Sequence, residues 1–139
     1  MKNSEIQQHF ILTFGYGNRS NYDALSKYIR DFLVDCLIDV REKPRAWCRK
    51  WYGDQIEKFC HQQKIEYLSE RALGNTSGTS HWVSPVPEEV EGVMKEIAVK
   101  LRSQTVLLLC AEMDHRRCHR LEIAEKLKEL SNQPIKHLE

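Results

Sequence analysis

Short apolar runs alternate with longer amphipathic stretches along this chain. The runs predict five strands, at His9–Phe14, Val34–Val40, Ile65–Leu68, Thr105–Cys110 and Pro134–Leu138. The stretches between them place apolar residues at helical spacing, as do Leu25 and Ile29 in the first. They predict four helices, at Asn21–Arg30, Asp54–Gln62, Pro87 to about Arg102, and Arg116 or Arg117 to Leu130.

Strands that alternate with helices imply a parallel sheet covered by helices on both faces. We therefore predict one α/β domain over residues 1–139, a three-layer α/β/α fold with a five-stranded, mainly parallel, doubly wound sheet. The predicted strand order is 3-2-1-4-5, which puts the loop after the first strand beside the loop after the fourth. Ligands of such sheets bind beyond the carboxyl ends of the strands, where the strand order reverses.

Composition narrows the class of protein. Hydrophobic residues make up 41% and charged residues 29% of 139 residues, which is typical of a folded domain with one core. The net charge of +1 gives no overall field for nucleic acid or membrane, so any attraction is local. We expect no membrane partner and a cytoplasmic location, because the N-terminus opens onto no extended apolar segment. In that compartment the five cysteines, an odd number, are expected to be free thiols.

The strongest chemical signal is the segment Cys110–Arg120. Cys110 is predicted at the end of a strand, and Cys118 in the first turn of the next helix. The helix dipole and the neighbouring Arg117, His119 and Arg120 would lower the pKa of a thiol there. A thiolate serves as a nucleophile, a redox switch or a metal ligand, whereas the alternative is a pair of buried packing cysteines.

We predict no metal site and no cofactor. Cys110, His115, Cys118 and His119 carry suitable ligand atoms. However, adjacent residues on a helix point about 100° apart, so Cys118 and His119 would not reach one ion together. A Cys-x-x-Cys pair is also lacking.

Charged side chains are predicted at several strand ends. Glu112 follows the fourth strand and is a candidate general acid or base, or else an ion-pair partner of Arg120, Arg41 or Arg19. Asp39 is expected to fix Arg41 or Arg19, either for an anion or as a structural salt bridge.

The loop after the first strand contains two glycines. Gly15 and Gly17, followed by Asn18 and Arg19, permit a phosphate or carboxylate to approach a helix N-terminus, although glycines also simply make tight turns.

Two long loops each allow a functional and a structural interpretation. Arg41–Tyr52 is basic and contains Trp47, Trp51 and Tyr52, which suits single-stranded nucleic acid. Alternatively, its tryptophans anchor the loop to the body of the protein. Ser69–Pro87 lacks periodicity and is either a mobile lid or a passive connection.

The segments at the predicted strand ends also carry a family resemblance. They are Phe14–Ser20, Ile38–Arg41 with Pro44 and Arg45, Tyr67–Glu70 with Leu73 and Gly74, Leu108–Glu112 with Arg117–Arg120, and Ile135–Leu138. In this order, over almost the whole chain, they resemble the "domain of unknown function 488" family, and the cysteine segment is highly specific. The resemblance implies a small α/β domain bearing this segment, and no particular activity.

Three functional hypotheses follow. The leading one is an enzyme acting on a small anionic, phosphate-bearing, nucleotide-like substrate, with Cys118 or Cys110 as nucleophile and Glu112 as acid or base. The others are a non-catalytic nucleic-acid-binding module centred on Arg41–Tyr52 and a thiol redox sensor using Cys110 and Cys118. The residues expected to bind the substrate are Gly15, Gly17, Asn18, Arg19, Asp39, Arg41, Glu70, His119 and Arg120.

Overall fold

The computed structural model describes residues 8–17 and 19–139, and within them the predicted elements are found. The strands are β1 (Ile11–Gly15), β2 (Cys36–Asp39), β3 (Glu66–Ser69), β4 (Val106–Cys110) and β5 (Ile135–His137). The α-helices are α1 (Asp23–Asp31), α2 (Gly53–Gln62), α3 (Pro87–Lys100) and α4 (Arg120–Ser131). In these ranges no helix has both the length and the apolar character needed to cross a membrane.

All five strands are parallel, and the sheet has the order β3-β2-β4-β1-β5. The three-layer α/β/α fold is therefore confirmed, but the predicted order 3-2-1-4-5 is wrong, because β4 lies between β2 and β1. Every side chain of β4 is apolar and buried, which suits the central position. β1 lies between β4 and β5, and its Thr13 Oγ1 is 2.6 Å from Nδ1 of His137 on β5.

Helices α1 and α2 cover one face of the sheet, and α3 and α4 cover the other. Successive side chains of a strand point to opposite faces. In β4, Leu107 and Leu109 therefore pack with the α1/α2 layer, whereas Leu108 and Cys110 pack with the α3/α4 layer. This alternation places the sulfur of Cys110 on the α3/α4 face.

The chain leaves β1 and β4 in opposite directions across the sheet, so these neighbouring strands form the point where the strand order reverses. The two loops that follow them pack directly together. Tyr16 N–H donates to Cys110 O at 3.0 Å, and Gly17 N–H donates to Ala111 O at 2.7 Å. A side chain at Gly15 would overlap the carbonyl of Glu112, so this approach requires glycine.

We predict that Gly15→Ala destabilises the protein by about 1–3 kcal/mol, because the added methyl group meets backbone atoms that have no room to move. Gly92→Ala is the matched control. Nothing lies within 4 Å of a methyl group at Gly92 in α3, and alanine there should stabilise the helix by about 0.5–1 kcal/mol. Urea denaturation of both variants tests this, and equal midpoints would contradict it.

Candidate functional site

Cys118 lies just outside α4. A short 3₁₀ helix occupies His115–Arg117, and Cys118 then has an extended backbone, with φ −129° and ψ 142°. The prediction that Cys118 lies in the first helical turn is therefore wrong, because the 3₁₀ helix takes up the preceding residues and α4 begins only at Arg120. The thiol nevertheless lies close to the N-terminus of α4, and the backbone N–H of Arg120, the first residue of that helix, lowers the pKa of Cys118.

Two sulfur atoms and an imidazole nitrogen meet at this point. The ligand atoms of Cys110, Cys118 and His119 all lie within 4.8 Å of one another, and all three residues are buried. His119 Nε2 is 2.9 Å from the carbonyl oxygen of Val40, an acceptor, so Nε2 carries a hydrogen. His119 Nδ1 then faces Cys118 Sγ at 3.7 Å.

The arrangement favours a thiolate on Cys118. The interaction between the two thiols, whose sulfurs lie within 4.8 Å of each other, lowers the pKa of Cys118 and, together with burial, raises the pKa of Cys110. His119 and the N–H of Arg120 lower the pKa of Cys118 further, against the opposing effect of burial. Burial alone would lower the pKa of His119, but its bond with Cys118 and the carbonyls of Val40 and Leu73 raise it.

Arg120 supplies a buried positive charge beside this pair. Its side chain is fully buried and donates to the carbonyl oxygens of Glu112 and Met113. Its Nε has no partner within the described ranges. The charge of Arg120 lowers the pKa of both Cys110 and Cys118. A buried cation needs a counter-charge, and a Cys118 thiolate would provide one.

The same cluster has the donor atoms of a soft-metal site. Two sulfurs and one imidazole nitrogen could serve as three ligands of zinc. Cys118 and His119 were predicted not to reach one ion together. This prediction is wrong, because Cys118 has an extended rather than a helical backbone.

Glu112 does not form the ion pair predicted for it. Its Oε1 accepts a hydrogen bond from Asp114 N–H at 3.1 Å, which closes the turn after β4. Arg120 meets the carbonyl of Glu112 instead of its carboxylate.

Asp39 and Arg41 form a buried clip on the other face of the sheet. Arg41 Nη2 lies 2.6 Å from Asp39 Oδ2, and Arg41 Nε donates to Asp39 Oδ1 at 2.7 Å. Arg41 Nη1 donates to Tyr16 Oη and to the carbonyls of Arg45 and Trp51. Each nitrogen of the guanidinium thus has a partner within the protein, and the side chain fastens the loop after β2 to the sheet.

The tryptophans of this loop differ in role. Trp51 is 1% exposed, stacks on Tyr16 at 4.8 Å between ring centroids, and donates to Arg19 O at 2.8 Å. It therefore anchors the loop to the body of the protein. Trp47 is fully exposed.

Two of the predicted site residues, Gly17 and Arg19, border a hollow on the α1/α2 side of the carboxyl edge. Tyr16, Gly17 and Arg19 follow β1, Ala111 follows β4, and Arg45 and Trp47 follow β2. Arg19 Nε donates to Gly15 O at 3.2 Å, and its guanidinium lies 4.6 Å from the centre of the Phe14 ring.

The predicted site residues thus fall into two groups on opposite faces. Cys110, Cys118, His119 and Arg120 lie together, whereas Arg19 lies at the hollow beyond the clip. Glu70 belongs to neither group, since it is half-buried beside Glu89 and Glu96 of α3, which together with burial raise its pKa. Asn18 is outside the described residues.

The segment Ser69–Pro87, predicted as either a mobile lid or a passive connection, is partly packed into the core. Its residues Leu73 and Trp82 belong to the same buried cluster as Cys110 and Cys118. The segment is held by hydrogen bonds from Trp82 Nε1 to Gly74 O at 2.9 Å and from Ser84 Oγ to Ala72 O at 2.6 Å. Its lack of periodicity gave no signal of this packing.

We predict that Arg41→Met costs roughly 3–5 kcal/mol of stability, because it leaves the Asp39 carboxylate buried without its partner. Arg49→Ala breaks the exposed pair with Asp54 and should cost less than about 1 kcal/mol. Chemical denaturation measures both. A small effect at Arg41 would show that its charge is not needed for the fold.

Comparison with known proteins agrees with the resemblance noted in the sequence. No curated protein matches the chain. The model of a family described as "Domain of unknown function DUF488" matches residues 21–127, which include β2, β3, β4 and the cysteine segment. The chain belongs to the DUF488 family.

Proposed function

We propose that this protein is a thiol redox protein in which Cys118 reacts with a hydroperoxide and Cys110 completes a disulfide. The observation that carries the proposal is the placement of two sulfurs within 4.8 Å of each other beside a buried arginine. Cys110 and Cys118 keep 8% and 6% of their surface exposed, which suits a small oxidant better than a bulky substrate.

The chemistry proceeds in two steps. The Cys118 thiolate attacks the outer oxygen of the hydroperoxide, the O–O bond breaks, and a sulfenic acid and an alkoxide form. The alkoxide takes a proton and leaves as an alcohol. Cys110 then attacks the sulfenic sulfur, its thiol proton leaves with the hydroxyl group as water, and a disulfide remains.

The residues around the sulfurs fit these steps. His119 holds a proton on Nε2 against Val40, and its Nδ1 side can hold the proton that Cys118 gives up. A disulfide needs its sulfurs about 2.0 Å apart, so the side chains of Cys110 and Cys118 must rotate toward each other when it forms.

The enzyme hypothesis has less support from this geometry. It requires arginines and a carboxylate around the nucleophile. Arg41 is occupied by Asp39 on the other face, and Glu112 closes its own turn. That hypothesis also includes an anionic ligand, and the hollow near Arg19 suits such a ligand better than the surroundings of the cysteines do.

The charge balance also indicates the redox behaviour. In the reduced state the Cys118 thiolate offsets the charge of Arg120. Formation of the disulfide removes that negative charge and leaves the buried guanidinium without it. The oxidised form is therefore less stabilised, and we expect a readily reduced disulfide.

We predict that Cys118 is a thiolate at neutral pH, because the lowered pKa keeps the charged form present above it. Thiolate absorbance in the ultraviolet should be present at neutral pH, disappear on acidification, and be absent from Cys118→Ser. Arg120→Gln keeps hydrogen-bond donors but removes the charge, and it should move the titration to higher pH. An unchanged spectrum in Cys118→Ser would contradict the assignment.

We also predict that mild peroxide links Cys110 to Cys118. Mass spectrometry of digested protein should show a disulfide-linked peptide pair that a dithiol reverses. In Cys110→Ser, Cys118 should instead accumulate sulfenic acid, which dimedone traps. The exposed Cys48 is an internal control, and oxidation confined to it would overturn the proposed function.

A further inference from the structure

The hollow near Arg19 has the position and size of a ligand site. Its volume is about 700 Å³, within the range of roughly 300–1,000 Å³ typical of small-molecule pockets. The loops after β1, β2 and β4 all contribute to its wall. It lies where the strand order reverses, which is where open α/β sheets bind ligands.

Its wall is cationic. Arg19 and Arg45 line it, and no carboxylate is among the described lining residues. Two other arginines of the loop after β2 are paired: Arg41 with Asp39, and Arg49 with Asp54. For Arg19 and Arg45, the described contacts include no such carboxylate partner, so both charges remain available to an anion.

Its wall also contains aromatic side chains, of which the fold leaves Trp47 uncovered. Tyr16 and Trp51 stack on each other and form a rigid inner part. Trp47 lies at the border of the hollow, and its side chain is fully exposed. An indole in water beside two guanidinium groups is suited to stack with a planar base whose phosphate reaches the arginines.

We propose that this hollow binds a nucleoside phosphate, with the base on Trp47 and the phosphate at Arg19 and Arg45. The proposal is independent of the redox function. The cysteines lie on the α3/α4 face, whereas the hollow opens on the α1/α2 side. Either proposal can fail while the other holds.

Titration with adenosine 5′-phosphate, followed by tryptophan fluorescence, tests this site. Trp51 also lines the hollow, so the quenching that is lost in Trp47→Phe is the part that reports on a base stacked on Trp47. Adenosine and inorganic phosphate each offer half of the proposed contacts and should bind more weakly than the nucleotide. Rising salt should weaken the nucleotide complex, because the phosphate contacts are ionic.

Variants separate the contributions when binding is measured by calorimetry. Trp47→Ala should weaken binding about tenfold or more, whereas Trp47→Phe keeps a stacking ring and should retain most of it. Arg45→Ala should weaken the nucleotide but leave adenosine unchanged. Lys128→Ala removes an exposed charge on α4 and is the control, with no effect expected.

A short adenine oligonucleotide distinguishes a free nucleotide from one within a single strand. Tighter binding of the oligonucleotide that still depends on Trp47 would support the same base-and-phosphate contacts, with a strand as their source. Equal binding to the native protein and Trp47→Ala would overturn the proposal, because the contact would then be a general charge effect. Absence of binding to both ligands at low salt would also overturn it.

Discussion

The turn after β4 is fixed from both sides, and the geometry of both candidate sites depends on this. On one side Gly15 admits the carbonyl of Glu112 against the loop after β1. On the other side Arg120 reaches out of α4 and donates to the carbonyls of Glu112 and Met113. Because the turn cannot shift freely, the sulfur of Cys110 stays facing Cys118, and Ala111 stays at the wall of the hollow.

Two buried arginines show how differently the fold treats a charge. Arg41 meets the Asp39 carboxylate and three further acceptors, so its charge and its hydrogen bonds are both satisfied. Arg120 meets carbonyl oxygens, which satisfy hydrogen bonds but leave a net positive charge. In the first arrangement the carboxylate balances the charge of the guanidinium. In the second arrangement the positive charge of Arg120 stays unbalanced, and a nearby thiolate can neutralise it.

Much of the fold could be predicted from the sequence because its strands are short, apolar and well separated. The order of β1 and β4 could not, because both strands are buried and no local pattern states which neighbour each one has. Cys118 was misplaced for a related reason. His115–Arg117 forms a 3₁₀ helix, and the Asp114 side chain caps its N-terminus. The spacing of apolar residues does not reveal where this short helix ends and α4 begins.

The leading hypothesis needs the candidate site residues to share one crevice at the carboxyl ends of the strands. They do not all do so, for a reason that is general to sheets. Residues at neighbouring strand ends share an edge, but the pleat sends alternate side chains to opposite faces. Cys110 faces α3 and α4, whereas Asp39 and the clip it makes with Arg41 face the other layer. Charged and sulfur-bearing groups at neighbouring strand ends are therefore separated by the sheet and by the turn after β4. Thiol redox chemistry needs only sulfur, imidazole and a buried cation, and it is compatible with this separation. A reaction that needs side chains from all the strand ends around one substrate is not.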